Sequence, residues 1–255
     1  MLDQITPVIL TFNEQANIER TLKALSWAAD VLVVDSYSTD KTLKLCAQFS
    51  NVRVVQNTFE SAAKQCNFAL EQNIRSDWVL SMDADYVVTD ALREELNTLT
   101  PSSITNGYNI RFTYLVRGRR LFGSLYPPRT CLYRKQFAHY IQDGHTQRVR
   151  VKGDLGDLRA KINHDDRKPY ARWLSSQKRY AKLEARKLAQ SSWSQLSWPN
   201  KIRASGLAPV IIVPYTLLGK KLILSGPAGL EYTWRRLVAE VCLQKARFKQ
   251  RKDNS

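Results

Sequence analysis

Short apolar runs alternate with polar, helix-like segments through the first hundred residues, and this alternation limits the possible folds more than any other feature of the chain. The apolar runs are rich in β-branched residues, as buried strands are: PVIL, VLVVD, VRVVQ and WVLSM. Three segments between them have the residue spacing of helices: NEQANIERTLKALSW, TDKTLKLCAQF and ESAAKQCNFALEQN. Strands connected by crossover helices form parallel sheets, so the pattern predicts a doubly wound α/β fold.

The carboxyl ends of three predicted strands carry acids or amides. Asn13 and Glu14 follow the first strand, Asp35 ends the second, and Asp83 and Asp85 follow the fourth. Ligands of doubly wound sheets bind beyond the carboxyl ends of the strands. We therefore expect these residues to meet in one crevice.

Asp83 and Asp85 are two acids, one residue apart, at the end of a strand that looks built for burial. Burying an unpaired carboxylate is costly, so water, a cation or a hydrogen-bond donor must reach the pair. Mg²⁺ and Mn²⁺ bind one or two carboxylates and complete their shells with phosphates and water. Helix caps, turns and solvated acids use the same residue types, so a structural role is the alternative.

Two common nucleotide-binding classes are disfavoured by the loop after the first strand. Dinucleotide-binding folds need G-x-G-x-x-G at this point, and the loop reads TFNEQAN, without a glycine. The chain also lacks the GxxxxGK[ST] pattern of P-loop NTPases. A dehydrogenase and a Walker-type NTPase are therefore disfavoured.

The second half of the chain differs from the first. Alternating segments from about residue 106 predict a mixed or antiparallel extension: GYNIRFTYLVRG, RTCLYRK and HTQRVRV. Residues 1–166 hold 20 Lys and Arg against 19 Asp and Glu, whereas residues 167–255 hold 19 against 4. We predict a globular domain over 1–166, with halves at about 1–100 and 101–166, and a basic helical extension over 167–255.

The basic extension indicates an anionic partner. Its apolar stretch LAPVIIVPYTLLG is too short and too interrupted by proline to span a bilayer, and Lys220 and Lys221 follow it. We expect it to lie at an anionic membrane surface, or else to pack on the core. Nucleic acid is not expected, because no recognisable binding motif accompanies the charge. A basic module that binds anionic lipid or nucleic acid without catalysis is the alternative function.

The four cysteines, at positions 46, 66, 131 and 242, form no CxxC pair and no metal-ligand spacing. The N-terminus MLDQITPVIL lacks a basic region followed by a long apolar run. These features predict a reduced, cytoplasmic compartment, and the basic extension predicts peripheral attachment to the inner face of the cell membrane.

Four motifs in order resemble the nucleotide-binding half of family-2 glycosyltransferases with the GT-A fold: VILTFNEQANIERTL, VLVVDSYSTDKT, QCNFAL and WVLSMDAD. Among these enzymes the chain resembles those that add glucose to heptose in the bacterial lipopolysaccharide inner core. The resemblance is strong over residues 5–100 and continues more weakly to about 240. It implies inverting transfer from a nucleotide sugar, favouring UDP, to a lipid-linked or lipopolysaccharide-core acceptor, with Mg²⁺ or Mn²⁺.

The resemblance also implies roles for individual residues. Asn13 and Glu14 match a loop that contacts the nucleotide, and Asp35 matches an acid that reads uracil or ribose. The remaining matches are Gln65 and Asn67, a polar pair facing the sugar nucleotide, and Asp83 and Asp85, which hold metal and diphosphate. Relatives commonly carry Glu where this chain has Tyr86.

An inverting transfer needs a general base for the acceptor hydroxyl. Asp143, in IQDGHTQRV, is the first choice, and Asp165 and Asp166 are the second. Asp143 could instead form an Asx turn before Gly144.

Basic residues complete the set of candidates. Arg129 and Arg134 could bind diphosphate bidentately, or be solvated arginines at strand ends. His145 and His164 could orient substrate or phosphate, or satisfy local hydrogen bonds.

Overall fold

The computed structural model describes residues 1–123, 126–144 and 146–253. Within it the chain forms two compact units. The first comprises residues 1–115 and 126–167, and the second comprises 116–125 and 168–255. Residues 116–125 therefore belong with the second unit, although they interrupt the first in sequence.

The strands and helices are numbered in chain order. The strands are β1 (Ile5–Thr11), β2 (Val31–Asp35), β3 (Val52–Gln56), β4 (Trp78–Asp83), β5 (Tyr86–Val88), β6 (Thr105–Val116), β7 (Arg119–Arg120), β8 (Arg129–Arg134), β9 (Ala138–Asp143), β10 (Thr146–Val151) and β11 (Asp154–His164). The helices are α1 (Ile18–Lys23), α2 (Thr42–Cys46), α3 (Ala62–Glu71), α4 (Asp90–Thr98), α5 (Tyr170–Gln190), α6 (Trp198–Ser205), α7 (Ala208–Pro214) and α8 (Gly226–Asp253).

The first unit is built on a mixed sheet with the strand order β3-β2-β1-β4-β8-β6-β11-β5. Strands β1 to β4 are parallel, with α1, α2 and α3 in the connections between them. Strand β8 is antiparallel to β4 and β6, and β5 is antiparallel to β11. The predicted parallel α/β half followed by a mixed extension is thus confirmed.

The parallel strands form the centre of the first unit. Ile9, Val33 and Leu80 are fully buried, and every residue of β2 is buried. Continuous apolar strands of this kind need cover on both faces, which explains why they do not alternate with polar residues. Strands β9 and β10 form a separate antiparallel hairpin, whose Tyr140 packs in one apolar cluster with Cys66 of α3.

The register of the parallel strands aligns the polar residues at their ends. Thr11 of β1 pairs with Asp35 of β2, and Leu10 of β1 pairs with Asp83 of β4. The carboxyl ends of three adjacent strands therefore lie side by side. This is the edge of the sheet at which the sequence predicts a ligand.

The second unit is helical, as the sequence predicts. Helix α5 packs along α8, and their contact is apolar: Ala181, Ala185, Leu188, Leu196 and Leu243. The buried Glu240 on α8 accepts hydrogen bonds from Arg203 at 2.9 Å and Arg236 at 3.2 Å, so one of the few acids of this unit offsets two of its cations.

Two short turns connect α7 to α8. The first is a π turn over Tyr215–Gly219, and the second is a 3₁₀ turn over Leu222–Ser225. Among the described residues, no single helix is both long and apolar enough to cross a bilayer. Residues Ala208–Gly219 and Leu222–Gln250 meet the length and composition criteria only as a pair, which is bent by 71°.

Candidate functional site

The loop after β1 is fastened to the loop after β2 by Asn13. Its backbone lies in the left-handed region, at φ 57°, a conformation that asparagine tolerates better than most residues. The Asn13 Oδ1 atom accepts hydrogen bonds from the backbone nitrogens of Thr39 at 2.6 Å and Asp40 at 3.1 Å. An asparagine therefore shapes this turn in the absence of glycine.

Glu14 contributes to the same junction. Its backbone nitrogen donates to Thr42 Oγ1 at 2.6 Å, and its Oε2 atom accepts from Asn17 Nδ2 at 3.0 Å. Contact between this loop and a nucleotide stays a prediction. What the structure shows is that both predicted loop residues, Asn13 and Glu14, hold the two strand-end loops together.

Asp35 lies at the predicted edge but is completely buried. Its Oδ1 accepts from Thr11 Oγ1 at 2.8 Å, and its Oδ2 accepts from the Ser38 nitrogen at 2.8 Å and Gln56 Nε2 at 3.3 Å. The carboxylate is thereby enclosed by hydrogen-bond donors of the protein. Its demonstrated role is to fix the loop after β2, and a contact with base or ribose stays a prediction.

Gln65 and Asn67 of α3 are engaged within the fold. Gln65 is buried, exchanges a hydrogen bond with Asn57 at 2.9 Å and donates to Ser36 Oγ at 3.1 Å. Asn67 bonds both backbone groups of Tyr140 in β9, at 2.8 and 3.0 Å. Residues two apart on a helix do not share a face, which explains their different partners. For both, donor contact stays a prediction, and it would compete with these bonds.

Asp83, at the end of β4, faces a cation. Its side chain is 44% exposed, and its Oδ2 atom lies 3.7 Å from Arg129 Nη1. The same Nη1 donates to the hydroxyl of Tyr86 at 2.9 Å. Tyr86 is buried at the position where relatives commonly carry Glu, so here a neutral phenol orients the arginine. The result is a guanidinium beside a partly exposed acid.

Arg134 lies at the other end of β8. It is paired with Trp78, the first residue of β4, and its guanidinium stacks 4.9 Å from the Trp78 ring centre. Because β8 is antiparallel to β4, Arg129 lies towards Asp83 whereas Arg134 lies at the opposite edge. This placement favours the alternative for Arg134, an arginine at a strand end, over a diphosphate contact shared with Arg129.

Asp85 is paired with His164. The distance from Asp85 Oδ2 to His164 Nε2 is 3.3 Å, and the Asp85 side chain is only 12% exposed. The pairing of β5 with β11 brings His164 opposite Tyr86 and thus beside the acid. The rings of Tyr86 and Tyr114 lie 5.2 and 5.0 Å from the imidazole and hold it in place.

Two opposing effects set the pKa of His164. Burial lowers it, whereas the negative charge of Asp85, its hydrogen bond, and the charges of Asp83 and Asp166 raise it. The carboxylates prevail, and the pKa lies above the ordinary histidine value of 6.5. The sequence identified His164 as a candidate residue, but only the pairing of β5 with β11 shows that its partner is Asp85.

We expect the His164–Asp85 pair to stabilise the metal-free protein mainly at low pH. A histidine whose pKa is raised on folding contributes stability that is complete below its unfolded pKa, about 6.5, and is lost as the pH rises through the folded pKa. Urea unfolding in EDTA at pH 5.5 to 9 should show a difference between the unmutated protein and His164→Gln that shrinks with rising pH. A difference independent of pH would contradict the ionic contribution.

The donor atoms of this edge suit a hard divalent cation. Asp83 ends β4 and Asp85 lies two residues later, with its Oδ2 atom 3.3 Å from His164 Nε2. Within residues 1–123, 126–144 and 146–253, no three His, Cys, Asp or Glu side chains converge as a complete metal site. Mg²⁺ and Mn²⁺ are commonly bound by one or two protein ligands plus substrate phosphates, so an incomplete protein set fits them.

Comparison with protein families gives this edge its context. Residues 6–100, which include β1 to β4 and both acids, match the family model described as glycosyl transferase family 2. This part of the chain is therefore similar to family 2 glycosyltransferases.

Curated relatives are consistent with this family match. A glycosyltransferase of Rickettsia bellii is 34% identical over 144 residues, which are 54% of this chain and 48% of that protein. The lipopolysaccharide core biosynthesis glycosyltransferase LpsC of Rhizobium meliloti is 32% identical over 103 residues, 39% of this chain and 38% of that protein. This chain spans about half the length, or less, of the curated relatives it matches.

A solved structure supports the predicted fold. The crystal structure of S. aureus TarS, residues 1–349, is 14% identical with a TM-score of 0.50, covering 98% of this chain and 92% of that one. The predicted GT-A fold with a helical C-terminal region is confirmed at this level. At such identity the likeness concerns the fold alone.

Asp165 of the first unit forms a buried ion-pair cluster. It is 3% exposed, and its Oδ2 lies 2.8 Å from both Arg20 Nη1 and Arg167 Nη2. Arg20 also donates to the Asp165 carbonyl at 3.0 Å. A buried carboxylate between two guanidiniums is poorly suited to accept a substrate proton, so this geometry favours a structural role over the predicted catalytic one.

We expect Asp165→Asn to destabilise the domain by about 2 kcal/mol, because two arginines lose the charge that offsets them. This expected loss of unfolding free energy is smaller than for a fully buried ion pair, because both guanidiniums are partly exposed. Urea unfolding measures it, with the exposed Asp154→Asn as a matched control. Unchanged stability together with lost turnover would restore Asp165 as the base.

The other base candidates, Asp143 and Asp166, also lie in the first unit. Asp143 ends β9, with its Oδ2 atom 2.7 Å from Arg148 Nη2 across the hairpin. Asp166 accepts a hydrogen bond from Asn17 Nδ2 at 3.0 Å. His145 lies outside the described residues.

Proposed function

We propose that the protein transfers a sugar from a nucleotide-sugar donor, a UDP-sugar, to a hydroxyl of a lipid-linked or lipopolysaccharide-core acceptor, with inversion. The observation that carries the proposal is the arrangement at the end of β4. There Asp83 is partly exposed beside Arg129, and Asp85 is paired with His164. Both acids lie in the part of the chain that matches family 2 glycosyltransferases.

Different residues at the end of β4 would have different roles in donor binding. Asp83 and Asp85 would hold a divalent cation, Mg²⁺ or Mn²⁺, and His164 would orient the Asp85 carboxylate. Such a cation supplies positive charge that stabilises the departing diphosphate. Arg129, oriented by Tyr86, provides a second positive charge on the same edge.

The rest of the edge serves positioning. Asn13 and Asp35 fasten the loops beyond β1 and β2, so that a bound nucleotide would meet a fixed surface. Fixed geometry matters because a well-oriented donor and acceptor react much faster than free ones. Asp143 would accept the proton of the acceptor hydroxyl as the C–O bond forms.

The acceptor class and the location belong to the same proposal. Similarity to LpsC, which is named for lipopolysaccharide core biosynthesis, supports a lipopolysaccharide-core acceptor. All four cysteines are free thiols, which supports a reducing, cytoplasmic compartment, and the basic second unit supports attachment to the inner membrane face.

Released nucleotide measures the proposed activity. The protein is incubated with a panel of nucleotide sugars, with Mn²⁺ or Mg²⁺ or with EDTA. We expect release of UDP from a UDP-sugar, dependent on the cation and increased by deacylated lipopolysaccharide-core oligosaccharide. No release from any donor with either cation and acceptor would favour the alternative, a basic binding module without catalysis.

A further inference from the structure

Two segments that are far apart in sequence meet at one end of the second unit. The backbone nitrogen of Phe122 donates to Ser225 Oγ at 2.7 Å. A Cβ atom on Gly123 would lie 2.5 Å from the Lys220 carbonyl oxygen, so this close approach requires glycine. The backbone at Phe122 and Gly123 is therefore held against the turns that follow α7.

Helix α7 and its π turn present one apolar face to solvent. Leu207, Ile211 and Leu218 are exposed at the spacing of a single helical face, and Val210 beside them is 74% exposed. The opposite face, with Ala208, is buried in the unit. The helix thus buries its small residues and exposes its large ones.

The following turn continues the exposed apolar surface. Ile223 and Leu224 are 54% and 65% exposed, and Phe122, fastened to the same turn, is 64% exposed. We call the large apolar side chains of these two segments the apolar rim: Phe122, Leu207, Val210, Leu218, Ile223 and Leu224. Soluble monomers rarely expose so many large apolar side chains in one place without a partner.

Basic residues border the apolar rim from both segments. Arg119 and Arg120 of β7 are exposed, and so is Lys221. Lys220 is partly buried, with Nζ 5.6 Å from the Tyr215 ring centre. Arg117 is paired with Glu231 at 3.0 Å. A partner for the rim must therefore accept both apolar side chains and positive charge.

We infer that the apolar rim, with Arg119, Arg120, Lys220 and Lys221, is the surface that contacts an anionic lipid bilayer. Large apolar side chains would enter the boundary between headgroups and acyl chains, while the cations would stay at the level of the lipid phosphates. A second copy of this chain fits less well, because it would bring the same positive charges together. The inference depends on no residue of the candidate active site.

Flotation with vesicles tests this surface on the full chain. Binding is measured to vesicles of phosphatidylcholine with 30 mole percent phosphatidylglycerol, a composition on the order of natural anionic surfaces. We expect the double variant Arg119→Gln/Arg120→Gln to bind about 25-fold more weakly, as two charges at about fivefold each imply. Phe122→Ser and Leu218→Gln should each weaken binding at least tenfold.

Matched controls separate the surface from general charge and hydrophobicity. Lys178→Gln/Lys182→Gln removes two exposed charges from α5, and Ile104→Gln removes a side chain that is 64% exposed in the first unit. Both controls should bind as the unmutated protein does, and all variants should keep its circular dichroism spectrum.

Three results would overturn the inference. They are equal losses in the controls and the rim variants, failure of the unmutated protein to float, and a concentration-dependent dimer in light scattering that Phe122→Ser dissociates. The last result would assign the rim to a second copy. Sugar transfer to a water-soluble acceptor fragment is measured in parallel, so that loss of lipid binding and loss of the proposed function are distinguishable.

Discussion

Asp85→Asn should reduce kcat/KM for the nucleotide-sugar donor by about 10³-fold, because stabilising the charge of a departing diphosphate is worth several kcal/mol and each 1.4 kcal/mol is a factor of ten. Asparagine keeps the shape of the side chain but removes the charge that faces His164. Calorimetric titration with UDP and Mn²⁺ should show the matching loss of metal-dependent nucleotide binding.

Asp83→Asn is the informative comparison. Asp83 faces Arg129 at 3.7 Å and is half exposed, so we expect weaker donor binding with metal-dependent UDP binding partly retained. Asp154→Asn, an exposed strand residue, should leave binding and turnover unchanged. If Asp85→Asn binds UDP with the same dependence on Mn²⁺ as the unmutated protein, the assignment of the cation to this edge fails.

The sequence was sufficient for the parallel half of the sheet. Buried parallel strands must be apolar on both faces, so VLVVD and WVLSM can be recognised as strands from their local sequence alone. The register then follows from adjacency, and it explains why Asp35 and Asp83 reach the same edge. Position at a strand end could therefore be predicted.

The partners of these side chains could not be predicted. Asp35 could equally be enclosed or open, and its burial depends on the Ser38 donor in the loop after β2 and on the Gln56 donor at the end of β3. The pairing of His164 with Asp85 depends on β11 returning beside β5, a contact between distant parts of the chain. Local patterns carry no information about such contacts.

The two arginines of β8 illustrate the same limit. Arg129 and Arg134 have the same chemistry and lie in one short strand, so the sequence gives no reason to separate them. The antiparallel pairing with β4 sends them to opposite edges. Only the direction of the strand decides which of the two meets Asp83.

The second large effect that we expect is a loss of kcat when the proposed general base is replaced. Asp143→Asn should lower kcat between about 10² and 10⁴-fold, the usual contribution of general base catalysis, while UDP affinity stays nearly unchanged. Asparagine can still accept the hydrogen bond from Arg148, so the hairpin should keep its shape. Initial rates at saturating donor, with calorimetric UDP affinity, separate the two quantities.

Arg148→Gln is the control for this experiment, because it leaves the Asp143 carboxylate in place and removes only its partner at 2.7 Å. A base that must accept a proton depends on its own carboxylate, so this variant should lose much less turnover than Asp143→Asn. Equal turnover by Asp143→Asn and the unmutated protein would instead move the role to Asp166. Its carboxylate is partly exposed and accepts a hydrogen bond from Asn17, whereas Asp165 beside it is held between two arginines.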